Sequence, residues 1–341
     1  MINTESRYLC TEVIKKTHPY GLFIFLLTFL FSCGLETAHP KKKQELIIAS
    51  DFLNKNDLLL FRSFEEKNNI SIRLKSMTAD SIHRHLKAFG YASRIDLVFL
   101  RSSLDFCVLS SQRMLQPITH PDLTDQIPNK YKGKDGSWFG VAIDPYILVH
   151  RKDSLSTYSD YKDLMKKVLW STNLRNEDQF HALYASLLQR GKQNPALTAS
   201  LLESLTARKN DLKKSIDSTF NYPPLLTTYS AFYSDTNLMR SKYKKAKLVF
   251  PNQKQGGTLY ELRTIGMVKQ ASNYTNAKEF ILYLTAEGNS QRINNWWNTF
   301  PVGNKLERSF EYQNQRFKLY SSPPHTWCDY LQQAKKSLEK K

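Results

Sequence analysis

The sequence predicts an α/β protein, with a parallel sheet carrying helices on both faces. Two observations carry that expectation. From residue 45 onward, strand-like and helix-like patterns alternate strand, helix, strand, helix, strand within about seventy residues, an order that builds parallel pairs joined by crossover helices. In addition, 41% hydrophobic and 12% aromatic residues in a chain of 341 can bury a substantial core. That length fits one large domain or two of ordinary size, and no internal repeat or low-complexity segment suggests a solenoid or a disordered chain.

Glu45 to Ser50 is a short apolar strand, and Asn56 is the expected cap of a helix carrying Leu58, Leu59, Phe61 and Phe64. Ile70 to Leu74 alternates and reads as a second strand. Asp80 to Phe89 reads as a helix, Asp96 to Leu100 as a buried strand, and Ser103 to Met114 as another helix. Trp138 to His150 reads as a pair of strand-like runs after the turn Gly133 to Gly136, and begins a second unit. Val168 to Ser171 is a short strand, followed by helices over Glu177 to Arg190 and Asn194 to Arg208. Leu225 to Ser230 and Ala246 to Phe250 are strands, Pro251 to Thr258 is a loop, and Thr264 to Val268 is the strand returning to the first unit. Two helices follow, Ala277 to Thr285 and Gly288 to Trp297. Ligands of such sheets sit at the carboxyl ends of the strands.

The first 32 residues have the three-part build of an export signal: Arg7, Lys15 and Lys16, then the apolar run Gly21 to Phe31, then small residues. That run is about half the ~20 residues a helix needs to cross a bilayer. Leu30-Phe31-Ser32-Cys33 resembles a bacterial lipobox, which would make Cys33 the lipidated N-terminus; the alternative is an incidental thiol in a signal anchor. Residues 33–44, with Lys41 to Lys43, read as a tether. With Cys10 in the signal and Cys33 lipidated, Cys107 and Cys328 remain, and the sequence is compatible with a bridge between them or with two thiols.

Nearly all of the net charge of +18 lies outside the signal. A surface so basic attracts nucleic acid, acidic lipid or anionic ligands, and charge alone does not choose. The lysine runs at Lys213-Lys214 and Lys242 to Lys247 are scattered over several elements, so a nucleic-acid stripe is not expected. Enzyme signatures are missing: there is no G-x-S-x-G elbow, P-loop, H-E-x-x-H or G-x-G-x-x-G. No C-x-x-C pair suits a zinc ribbon or a redox centre. His83 and His85, two apart on a helix, face different directions, and His325 with Cys328, in an expected loop, is not expected to hold a metal. Gly256-Gly257 suits either an anion cradle or a plain turn. The chain is expected not to be an enzyme.

The order of these elements resembles a family. Ile48-Ala49-Ser50, Phe61 to Lys67, Ile95 to Phe99 and Leu115-Gln116-Pro117 are similar to the first lobe of iron(III)-type periplasmic solute-binding proteins. Trp138 to Val141 with Tyr146 to Val149, Thr172-Asn173, Leu248 to Gln253 and Gly256 to Thr258 resemble the second lobe. Ile265 to Lys269, Asn276 to Leu284 and Phe300 to Val302 resemble the closing segment, so the likeness spans residues 45 to 305. It implies a two-lobe type 2 periplasmic-binding-protein-like fold with a ligand cleft between lobes. Lobe 1 would be residues 45–137 plus 264–310, and lobe 2 residues 138–263 plus 311–341. The implied function is a substrate-binding lipoprotein that hands its ligand to an ABC permease.

Iron-binding members carry two adjacent tyrosines at the end of a second-lobe strand, where this chain has Thr228-Tyr229-Ser230. Tyr233 shares a helix face with Tyr229 if the segment is helical. A phenolate suits a hard cation because the metal offsets the cost of deprotonating a group with a pKa near ~10. Tyr229 with Asp51 and Tyr233 is the candidate iron(III) set, with iron as transported ligand and no cofactor; a polar residue after a strand, as Asp51 is, is more often a helix cap or turn former. The alternative from the same fold is an organic or anionic solute, a phosphonate, sulfonate or thiamine-like cation, held by Ser50, Arg101, Thr172, Asn173, Tyr229 and Ser230. A third reading, from another class, is a basic exported polyanion-binding protein.

Overall fold

A computed structural model describes residues 43–151, 158–165, 169–170, 183–188, 199–200, 203, 225–234, 246–303, 311–312, 315–321 and 328–339. The export signal, Cys33, the stretch with Thr172 and Asn173, His325 and the lysine runs before Lys247 lie outside them.

Residues 44–341 form one compact unit around a single large sheet. Strand β1 (Gln44–Ser50) pairs in parallel with β2 (Ile70–Ser76) and with β3 (Leu97–Leu100). β1 from Ile47 onward and all of β3 are buried on both faces, as apolar runs require of parallel strands, whereas β2 at the sheet edge buries Ile70 and Ile72 and leaves Arg73 exposed. The 3-10 turn Lys55–Phe61 and helix α1 (Arg62–Asn68) connect β1 to β2, and α2 (Ala79–Phe89) connects β2 to β3. The cap of the first turn is Asn54 rather than Asn56: its side chain accepts from Asn56 N, while Asp57 answers to the Asn54 amide in a capping box. Helix α2 starts at the Thr78 cap and stops where Gly90 has φ +47. Helix α3 (Asp105–Ser111) is shorter than its apolar pattern suggested, since Arg113 turns into the left-handed region and aims the chain at β4 (Leu115–Gln116). A short α4 (Pro121–Gln126) follows.

The expected pair of runs at 138–150 is one 14-residue strand, β5 (Trp138–Arg151). The tertiary reason is a change of partners at Pro145–Tyr146 without a break in the strand; a register shift between Gly140 and Ala142 lies within its first half. Its first half pairs antiparallel with β9 (Tyr260–Val268) and β10 (Phe300–Pro301), and its second half with β7 (Leu225–Thr228) and β8 (Ala246–Val249). Strand β6 (Leu169–Trp170) lies parallel to β7. β9 reaches back to β3 and β4 and is buried along its full length. β5 and β9 therefore lie side by side from Trp138 to Pro145 and from Tyr260 to Gly266, and beyond that stretch β5 continues between β7 and β8.

Strand β7 ends two residues before the expected Ser230, because Tyr229 already opens helix α5 (Tyr229–Ser234). Helices α6 (Tyr274–Thr285) and α7 (Glu287–Trp297) cover the first sheet region through Phe280, Ile281, Leu284 and Ile293. The loop 251–258 is a plain turn: Gly257 has φ +97, its amide bonds Asn252 O, and a Cβ there would meet Leu319 O at 2.6 Å. That close approach lets residues 318–320 bond Thr258 on both sides. The closing helix α8 (Cys328–Glu339) is joined to α3 by a disulfide between Cys107 and Cys328, whose Cα atoms are 5.6 Å apart. The two thiols left open by the sequence are thus a bridge, and Cys328 is no metal ligand.

Candidate functional site

The carboxyl ends of β1, β3 and β7 converge on the middle of β5 and β9. After β1, the hydroxyl of the fully buried Ser50 accepts from the amides of Phe52 and Leu53, folding the chain into a tight turn. Asp51 Oδ1 accepts from Arg101 N at 2.9 Å, fastening that turn to the loop after β3. The Phe52 ring, presented by the turn, has the Arg101 guanidinium 5.8 Å and the Arg263 guanidinium 4.9 Å from its centre. Ser50, Asp51 and Arg101 are thus brought together, two of them as the structural frame of a loop.

Arg263 on β9 is 4% exposed and is the centre of a buried polar group. It donates to Ser230 Oγ at 2.9 Å and to Asp144 Oδ2 at 3.4 Å, while Asp144 also accepts from the amide and the hydroxyl of Ser230. Its Nε has no hydrogen-bond partner among the described residues, and its face lies over Trp297 at 5.4 Å. Burial pulls the Arg263 pKa down, with Asp144 opposing. Opposite Asp144 in the ladder stands Glu261, 2% exposed, which accepts from the Tyr146 hydroxyl at 2.7 Å. Burial raises the Glu261 pKa from 4.5 to about 7, against the pull of Arg101, while Asp144 adds to the rise. Burial likewise pushes the Tyr146 phenol well above its usual value.

Helix α5 sets Tyr229 and Tyr233 one turn apart, with ring centres 4.7 Å from each other. Tyr229 also meets Phe300 at 5.0 Å and Phe250 at 6.1 Å. Ser230, where an adjacent tyrosine was expected, points into the Asp144–Arg263 group and is 4% exposed. Among the described residues no cluster of three or more His, Cys, Asp or Glu is placed to hold a metal ion. His83 and His85 are committed to Gln112 and Ser93.

Sequence reasoning did not single out Asp144, Glu261 or Arg263. Their signal was there: charged residues inside strands that otherwise read as continuous apolar runs are costly to bury unless paired.

No family model matches the chain. Iron uptake protein A1 of Synechocystis sp. is 24% identical over 263 residues, covering 73% of each chain. Among solved structures, a Trichodesmium protein (IdiA, FutA) in complex with iron and citrate ligands superposes with TM-score 0.68 at 20% identity, over 87% of this chain and 98% of that one. The ferric binding protein from Campylobacter jejuni gives TM-score 0.70 at 19% identity, over 86% and 98%. The chain has the two-lobe α/β fold of these proteins. No helix among the described residues is long and apolar enough to cross a membrane.

Proposed function

We propose that this protein is the solute-binding component of an ABC importer, exported, anchored by lipid at Cys33, and capturing iron(III) as an anionic chelate in its interlobe cleft. The observation that carries the reading is the pairing of Tyr229 with Tyr233 on α5, which supplies two phenols one turn apart beside the strand crossing. The relatives named for iron support it. In this reading residues 45–137 plus 264–310 and residues 138–263 plus 311–341 are the lobes, and β5 and β9 are the hinge strands. Two phenolates and one carboxylate neutralise three charges of the cation, and a chelator that brings its own oxygens completes the shell. Arg101, beside Asp51 and Phe52, attracts such an anion where a bare cation would be repelled. Transport needs no cofactor and no catalytic residue.

The test is optical. Ferric citrate added to the protein is expected to produce a phenolate-to-iron band in the visible that disappears in Tyr229→Phe and weakens or shifts in Tyr233→Phe. A colourless protein that binds no iron in calorimetry would reject the metal reading and leave the fold untouched. Anchoring is tested separately: a palmitate analogue should label the wild type and leave Cys33→Ser unlabelled.

A further inference from the structure

The amino end of β3 lies at the opposite end of the strands from the candidate site. There the ends of α2 and α3 and the residues after β9 enclose a shallow depression lined by Lys87, Arg113 and Lys269, with no carboxylate among its lining residues. All three basic side chains are exposed, and among the described residues none of them forms an ion pair. Beside them stand two large apolar side chains that are exposed to water, Phe89 at 55% and Tyr91 at 84%. Strand β1 starts at this same end. Asn276 bonds Gln44 and Asn273 bonds Glu45 O, while the neighbouring Lys269 amide bonds Met114 O at the rim of the depression.

We propose that this end is a membrane-contact face that rests on anionic lipid, with Phe89 and Tyr91 entering the headgroup layer and the three basic residues meeting lipid phosphates. Aromatic side chains with an apolar body settle at the boundary between headgroups and acyl chains, and flanking cations add attraction to an anionic surface. The occupant is argued from three features that coincide: unpaired positive charge, exposed aromatics, and the start of the folded chain. The segment upstream of Gln44 is the expected tether, and the eleven steps from Cys33 to Gln44 span at most about 40 Å. A tether of that reach lets the end of the sheet where Gln44 stands rest on the bilayer, and with this face down the carboxyl ends of β1 and β3, with the candidate site, point away from it. This geometry rests on the anchoring at Cys33 proposed above; the chemistry of the face does not.

The experiment uses the full chain, isolated with its lipid, on vesicles of phosphatidylcholine alone or with phosphatidylglycerol added. Hydrogen–deuterium exchange over residues 87–94 and 112–114 is read on each. Slower exchange on the anionic vesicles, reversed by salt and lost in the triple variant Lys87→Glu, Arg113→Glu, Lys269→Glu, is the expected result. Each basic side chain should contribute about fivefold to partitioning onto the anionic surface, so the three together contribute on the order of a hundredfold. Because all three are exposed, the variant should keep its unfolding midpoint, which checks that it folds. Equal exchange on both vesicle types overturns the proposal. Protection that appears only when an ABC permease is reconstituted alongside also overturns it, assigning the face to a protein. Labelling at Cys33 separates the two readings: an unlabelled Cys33 with lipid-protected residues 87–94 removes the anchor and keeps the face, and a labelled Cys33 with unprotected residues does the reverse.

Discussion

The Tyr146 hydroxyl donates to Glu261 Oε1 at 2.7 Å across the β5–β9 ladder, with both side chains cut off from water. A carboxyl in that position holds its proton to about pH 7, because burial outweighs the opposing field of Arg101. The folded state thus binds a proton more tightly than the unfolded chain, where the value is 4.5. Stability from this group is fully present below pH 4.5 and is lost as pH rises through about 7, a change on the order of 3 kcal/mol. Denaturant midpoints should fall from pH 5 to pH 8 in the wild type and stay nearly level in Glu261→Gln. Parallel curves would show that Glu261 ionises at its ordinary pH.

Ser230 links the start of α5 to Asp144 and Arg263. Ser230→Ala removes one hydroxyl from a buried charged group and should cost about 1–3 kcal/mol of stability. Ser230→Tyr, which restores the adjacent-tyrosine pattern, has no room beside Asp144, so it should lower the melting temperature without strengthening iron retention. A gain in iron affinity with unchanged melting would refute this view of the position.

Arg101 is half-buried against Phe52, with its backbone held by Asp51. Charge-assisted hydrogen bonds are worth about 1.5–3 kcal/mol, so Arg101→Met should weaken ferric citrate binding roughly ten- to hundredfold. Calorimetry checks this. An unchanged affinity would exclude Arg101 from the ligand.

The disulfide closes 221 residues between Cys107 and Cys328. Replacing both by serine should cost about 3–5 kcal/mol, by restoring conformational freedom to the unfolded chain. Because Cys107 and Cys328 fall in different proposed lobes, the same variant should show a larger radius of gyration in the ligand-free state by small-angle scattering. Identical scattering curves would mean that α8 restrains neither lobe.

The alternation of apolar strands and helices from residue 45 was enough to predict the α/β architecture, since period-2 and period-3.6 patterns are local properties of the chain. For Tyr229 and Tyr233 the spacing of four supplied only a condition, since the pattern through Ser230 reads as strand and the structure turns it into a helix at Tyr229. What tertiary structure alone decided is long-range. The sequence cannot say that Arg263 would meet Ser230 and Asp144, residues 33 and 119 positions away, nor that Glu261 would face Tyr146 across two strands. Nor could it choose between two thiols and a bridge for cysteines so far apart. Hydrophobic periodicity determines which face of each element is buried, but the partner of a buried charge is set by how strands distant in sequence are brought side by side, and that pairing leaves no local pattern.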